Sequence, residues 1–206
     1  MMRRITRSSL AFCGVLALAL VCSSSASAQV LAHSGDVSAH YGYGYGNYST
    51  SGVGATNNHQ EFGFSGGANL SPSIAILGEY NYMPMGTYSG VSFKTQLFGG
   101  GVRVNFGDSG KVVPYALITA GGNRFTGAES GVSVSATGAY AAFGGGASCY
   151  LGKNWGIRPE FRYERQFLSF SGITSDTSVV VGSGGIFFQF GGQQKTAKSD
   201  RASIQR

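Results

Sequence analysis

From Val37 onward the chain alternates between two kinds of side chain. Val37, Ala39, Tyr41, Tyr43 and Tyr45 fall on one face, and Ser38, His40, Gly42, Gly44 and Gly46 on the other. Period two is the mark of a strand that buries one face. The same spacing sets Phe62, Phe64, Gly66, Ala68 and Leu70 against Glu61, Gly63, Ser65, Gly67 and Asn69. It then sets Ile74, Ile76, Gly78, Tyr80 and Tyr82 against Ala75, Leu77, Glu79, Asn81 and Met83. Only Ser71-Pro72-Ser73 separates these two runs, so they are predicted hairpin partners.

Five more runs follow. The fourth, about 91–106, has Phe93, Thr95 and Leu97 in one phase and Phe98, Val102, Val104 and Phe106 in the other, which predicts a β-bulge at Gly99-Gly100-Gly101. A turn at Gly107-Asp108-Ser109-Gly110 leads to a fifth strand with Val113, Tyr115, Leu117 and Thr119 on one face, reaching about Phe125, with Pro114 near its start where a missing ladder donor is tolerated. The sixth occupies the later part of 132–151, and the turn Gly152-Lys153-Asn154 ends it. The seventh is the sharpest, since Ile157, Pro159, Phe161 and Tyr163 alternate with Arg158, Glu160, Arg162 and Glu164. The eighth carries Val180, Gly182, Gly184, Ile186, Phe188 and Phe190 on one face. Connections between these runs alternate in length. Three are short turns, while 49–58, 84–90, 126–131 and 168–177 read as longer loops.

Composition says which solvent such strands meet. Charged residues make up 12% of the chain, against about 25% in soluble domains, while 34 glycines, 14 Phe and 11 Tyr disfavour helices and suit strands with one crowded face. Successive hairpins with an apolar face would leave unpaired backbone groups at an open edge, which lipid does not tolerate, so the sheet is expected to close on itself. The fold expected is all-β: a closed antiparallel up-and-down transmembrane barrel of about eight strands, with short turns on the periplasmic side. The competing reading, a secreted lipocalin-like binding barrel with its apolar face inward, fits the low charge less well.

The two ends set the compartment and the domain layout. Arg3, Arg4 and Arg7 precede an apolar run at 10–22 and a small-residue stretch ending Ala26-Ser27-Ala28, the three-part plan of a cleavable secretory signal. That run is shorter than the roughly 20 residues a membrane-crossing helix needs. Residues 1–28 are therefore read as signal peptide, 29–190 as barrel and 191–206 as a polar, disordered tail. Cleavage would remove three arginines from the formal charge of +6, and with them Cys13 and Cys22, leaving Cys149 without a disulfide partner. The remaining basicity is too scattered for nucleic-acid binding.

With these hairpins, this length and this last strand, the chain resembles the small outer-membrane barrels that include the OmpA transmembrane domain and OmpX. The likeness runs from about Asp36 to Phe190, and Ile186-x-Phe188-x-Phe190 is similar to the C-terminal signature read by the barrel-insertion machinery. In that family the signature commonly ends the chain, whereas here further residues follow. The resemblance implies a bacterial outer-membrane location after export through the inner membrane, contact with outer-membrane lipids and lipopolysaccharide, and a monomer.

Glu79, Lys94, Arg103, Arg158, Glu160, Arg162 and Glu164 are expected to project into the lumen, where opposite charges must pair to offset desolvation. Glu79 and Arg162 sit at matching heights above their turns. An eight-stranded interior is filled by side chains, which favours a plug over a small-solute pore. Catalysis is not expected. His33, His40 and His59 form no local serine–histidine–acid motif of the kind a lipid A-modifying barrel enzyme would need. No cofactor or metal site is read either, since one cysteine and three scattered histidines lack ligand spacing, and Gly144-Gly145-Gly146 lacks the lysine and helix of a phosphate loop. The role expected is structural or interactive, in envelope integrity or adhesion, with an extracellular ligand met through the loops.

Overall fold

The computed structural model describes residues 30–50, 53–88, 90–129, 132–170 and 173–192. The expected signal peptide and almost all of the tail lie outside these. Eight strands follow in order: β1 Ser34–Thr50, β2 Val53–Asn69, β3 Ile74–Tyr88, β4 Val91–Asn105, β5 Val112–Glu129, β6 Val132–Tyr150, β7 Trp155–Phe170 and β8 Ile173–Gly191. Each pairs antiparallel with the next, and β8 closes on β1 from Ser34↔Gly191 to Ser49↔Asp176. The barrel is therefore closed, all-β and up-and-down, and both ends of the strand series meet at one mouth.

The outward positions show why the chain folds this way. On the eight strands in turn they are apolar or glycine across 37–45, 62–70, 74–82, 98–106, 112–122, 139–147, 155–163 and 180–190, with no charge among them. Each stretch matches the roughly 9–11 residues a tilted strand needs to cross hydrocarbon. Ile118, Phe143 and Ile186 lie about 60% exposed near the middle of this belt. An apolar face that wide stays out of water only in lipid.

The strands are much longer than the belt, and this corrects the expected loops. Residues 53–58, 84–88, 126–129, 168–170 and 173–177 continue the ladders, while 51–52, 89, 130–131 and 171–172 fall outside the described residues. Ser, Thr, Asn and Gly made these stretches look like loops, but an antiparallel hairpin supplies its own backbone partners whatever its side chains. The connections at the termini's mouth are real turns. Leu70 N and Ser71 N donate to Ile74 O at 2.9 and 3.1 Å, and Leu151 N donates to Trp155 O at 3.1 Å.

One seam is incomplete. Among the described residues β2 and β3 pair only from Phe62↔Tyr82 to Asn69↔Ala75, so that there 53–61 pair with β1 alone and 83–88 with β4 alone. The β2–β3 ladder ends there, at the upper border of the belt.

The bulge expected at Gly99-Gly100-Gly101 is not present. Register runs unbroken from Ile74↔Val104 to Pro84↔Lys94, and the irregularity lies between Pro84 and Gly86, where Gly86 takes φ 87°. The three glycines serve proximity instead. A Cβ on Gly101 would lie 1.9 Å from Ile118 O, and one on Gly99 would lie 2.5 Å from the Tyr140 hydroxyl.

Candidate functional site

Because β1 to β8 alternate faces, each even position of β1 and β7, and each odd position of β2 to β5 along the belt, points into the lumen. The inward residues stack in layers from the termini's mouth. The first is an apolar cap of Val30, Val113, Tyr150 and Phe187. Tyr150 meets Phe187 edge-on at 5.0 Å and donates to Gln189 Oε1 at 2.8 Å. The Ser34 hydroxyl ties this cap together, donating to Leu31 O and accepting from Asn69 Nδ2 and Gln189 Nε2 at 2.6, 2.9 and 3.1 Å.

Above the cap, Asp36 accepts from two guanidiniums. Arg103 Nη2 approaches its Oδ2 at 2.5 Å and Arg158 Nη1 its Oδ1 at 3.0 Å. Arg158 also lies 4.6 Å from the Phe187 ring centre, so its planar cation is sandwiched between carboxylate and aromatic face. Arg162 makes the next layer. Its Nη1 donates to Glu79 Oε2 at 2.7 Å and its Nε to Glu160. Tyr140 donates to the other oxygen of Glu79 at 2.8 Å, and Tyr115 to Glu160 at 2.6 Å. Three arginines thus meet three carboxylates, and each carboxylate is held by two donor side chains. Glu61, paired with His40 at 3.4 Å, and the fully buried Glu164 lie nearer the far mouth.

Of the residues singled out from sequence, Glu79, Arg103, Arg158, Arg162 and Glu164 are buried inside, and Glu160 points inward half-buried. Lys94 is not. It is exposed on the outer face, opposite Pro84 and Thr126, and its assignment to the lumen is corrected. The expected phase slip had flipped it inward; with register unbroken, Lys94 shares the face of Phe98. Asp36, Glu61, Tyr115 and Tyr140 belong to the lumen and were missed. Glu61 already stood on the polar face with Ser65, and Asp36 shares the parity of Ser38, so period-two counting extended by one step would have found it.

Paired side chains fill this part of the lumen. The cavity between Ser38, His40, Arg103, Arg158 and Arg162 holds only about 20 Å³, space for about one water. His40 bonds Glu61, while the Ser38 hydroxyl pairs with Ser65 at 2.7 Å. Among the described residues no group of His, Cys, Asp and Glu has the geometry to hold a metal ion.

At the border where the outer face stops being apolar, a ring of polar groups appears. It includes Asn58, Gln60, Lys94, Gln96, Arg124, Arg165 and Asp176. Arg165 pairs with Asp176, its Nε donating to Oδ2 at 3.1 Å. Gln96 donates to the Tyr80 hydroxyl at 2.7 Å, and Arg124 to Ser135 at 3.3 Å. Ile186, Phe188 and Phe190 lie on the same outer face toward the other mouth, exposed by 63, 49 and 48%.

Comparison with known proteins agrees with this geometry. The outer membrane protein beta-barrel domain family matches residues 14–187. Among solved structures the fold is similar to the Neisserial surface protein A, with a TM-score of 0.62 and 16% identity over 75% of this chain and 97% of that one. It is also similar to Ail, the attachment invasion locus protein of Yersinia pestis, crystallised with the heparin analogue sucrose octasulfate, with a TM-score of 0.51 and 19% identity over 76% and 99% of the two chains. Among curated protein sequences none matches this chain.

Proposed function

The chain belongs to the outer membrane protein beta-barrel domain family, and on that premise we propose that it is a non-catalytic barrel of the bacterial outer membrane whose upper strands serve surface interaction. Both termini lie in the periplasm, and the long hairpins face outward from the cell. The observation that carries this reading is the parted seam. Above Phe62, β2 has a strand on one side only among the described residues. An unpaired edge is a template for an added strand. The facing edge of β3 is blunted by Pro84 and the bulge beside Gly86, devices that discourage pairing. The β2 stretch 53–61 carries neither proline nor lysine. An extended segment of an extracellular partner would add there through backbone hydrogen bonds, while the ion-paired lumen keeps the barrel shut.

Trimming the β1–β2 hairpin to a tight turn between Asn47 and Asn58 tests this on whole cells. Adherence to immobilised matrix proteins and leakage of a periplasmic reporter are scored together. Adherence is expected to fall while leakage and heat-modifiable gel mobility stay unchanged. Unchanged adherence with increased leakage would overturn the interaction role in favour of envelope maintenance. Lipid A mass is expected to be the same with and without expression, and a shifted mass would contradict the non-catalytic reading.

A further inference from the structure

Three cations stand on the outer face at the upper border of the belt, and they differ in one respect. Arg165 is neutralised by Asp176. Lys94 and Arg124 have no ion-pair partner among the described residues. The ladder sets Lys94 opposite Thr126, and Gln96 opposite Arg124. The two cations are therefore diagonal neighbours on adjacent strands, about 7–8 Å apart at the backbone and close enough for both side chains to converge on one anion. Neutral hydrogen-bonding groups complete the patch. Arg124 already leans on Ser135, whose hydroxyl meets Thr126 Oγ1 at 3.2 Å.

Directly below lies bare apolar surface. Gly100, Ala120 and Ala141 stand in register on β4, β5 and β6, flanked by the exposed Phe98 above and Ile118 and Phe143 below. A ligand of this surface has to be anionic at one end and apolar at the other, and the apolar end already faces the bilayer. We propose that Lys94 and Arg124, with Ser135, bind the phosphate headgroup of an outer-leaflet lipid whose acyl chains lie over Ala120 and Ala141. The site rests on the membrane-spanning reading of the barrel but not on strand addition at β2, which is a different part of the rim. Its occupant fixes the depth and tilt of the β4–β6 wall in the membrane. Each cation near a phosphate-rich surface contributes enough for a several-fold change in affinity, and two together for about tenfold or more.

The test uses the folded, full-length mature chain in detergent micelles, titrated with phosphatidic acid and separately with diacylglycerol bearing the same acyl chains. Bound lipid is counted by native mass spectrometry. The wild-type protein is expected to retain phosphatidic acid and not diacylglycerol. Lys94→Gln with Arg124→Gln should weaken retention about tenfold or more, whereas Arg165→Gln should leave it unchanged. All three side chains are exposed, and heat-modifiable mobility verifies folding of each variant. Equal retention by the double variant, equal retention of diacylglycerol, or displacement by inorganic phosphate at the concentration of the lipid would each overturn the proposal. Because the readout is lipid count rather than adherence, its failure leaves the surface-interaction reading standing.

Discussion

The belt and the strands above it use opposite faces for charge. Within the belt, Asp36, Glu79, Arg103, Arg158, Glu160 and Arg162 are all inside and the outer face carries no charge; above it, Lys94, Arg124, Arg165 and Asp176 stand outside. Past Glu61 and Glu164, which are buried just at the upper border of the belt, the interior turns to neutral side chains. Met83, Leu97, Tyr140 and Ala142 form its floor, and Phe93 stacks on Phe125 at 5.6 Å above. Gln166 reaches across to Met83 Sδ at 3.8 Å. One continuous ladder therefore obeys two solvents. Lipid expels charge inward, where it must pair, and water draws it outward, leaving neutral groups to fill the centre. The same period-two backbone serves both, and only the face that carries the charge changes.

The contrast is broken most severely at its charged side. Arg162→Ala would leave Glu79 and Glu160 buried with their shared cation gone, a loss on the order of 3–5 kcal/mol. Urea unfolding in micelles, followed by heat-modifiable mobility, should show a midpoint well below wild type. Loss of the whole layer through Glu79→Leu, Glu160→Leu and Arg162→Leu together should cost less than Arg162→Ala alone. If the triple variant is the worse of the two, the pairs stabilise the lumen beyond merely satisfying one another.

At the neutral floor, Leu97→Ala should cost about 2–5 kcal/mol where it is packed against Met83 and Tyr140. The damage should stay local. Limited proteolysis from outside is expected to cut the upper hairpins faster while the belt remains protected, and uniform cutting of both regions would deny that they are separable layers.

How much of this was legible in the sequence follows from the same comparison. Strand number, closure and the pairing of Glu79 with Arg162 could be read because apolar and charged residues alternate without a break on β3 and β7. Lys94 was misplaced because Gly99-Gly100-Gly101 declare no face. With aromatic Phe93 before them and Phe98 after, a slip and a continuous strand look alike, and a one-residue slip moves every side chain upstream to the other face. The upper strands were hidden for a related reason. Their outward Asn58, Gln60, Ser92 and Thr137 are polar and their inward positions only partly apolar, so alternation fades where both faces are tolerated. The parted β2–β3 seam has no period to betray it. Pro84 and Gly86 are its one local sign.

The smallest expected effects sharpen the comparison best, because they apply one substitution on two sides of the border. Arginine at Ile118, midway up the belt and 62% exposed, puts a charge into hydrocarbon and should cost about 2–4 kcal/mol. Arginine at Asn58, an outward position of β2 above the belt, should change stability by no more than about 0.5 kcal/mol. Both variants add the same side chain to the outer face of a strand, at Ile118 between two ladders and at Asn58 beside one, so the lost hydrocarbon contact is the main difference between them. Equilibrium unfolding into lipid vesicles measures each. A cost at Asn58 close to that at Ile118 would mean that hydrocarbon reaches past Gln60, and the upper strands would then be membrane wall instead of the part exposed to water.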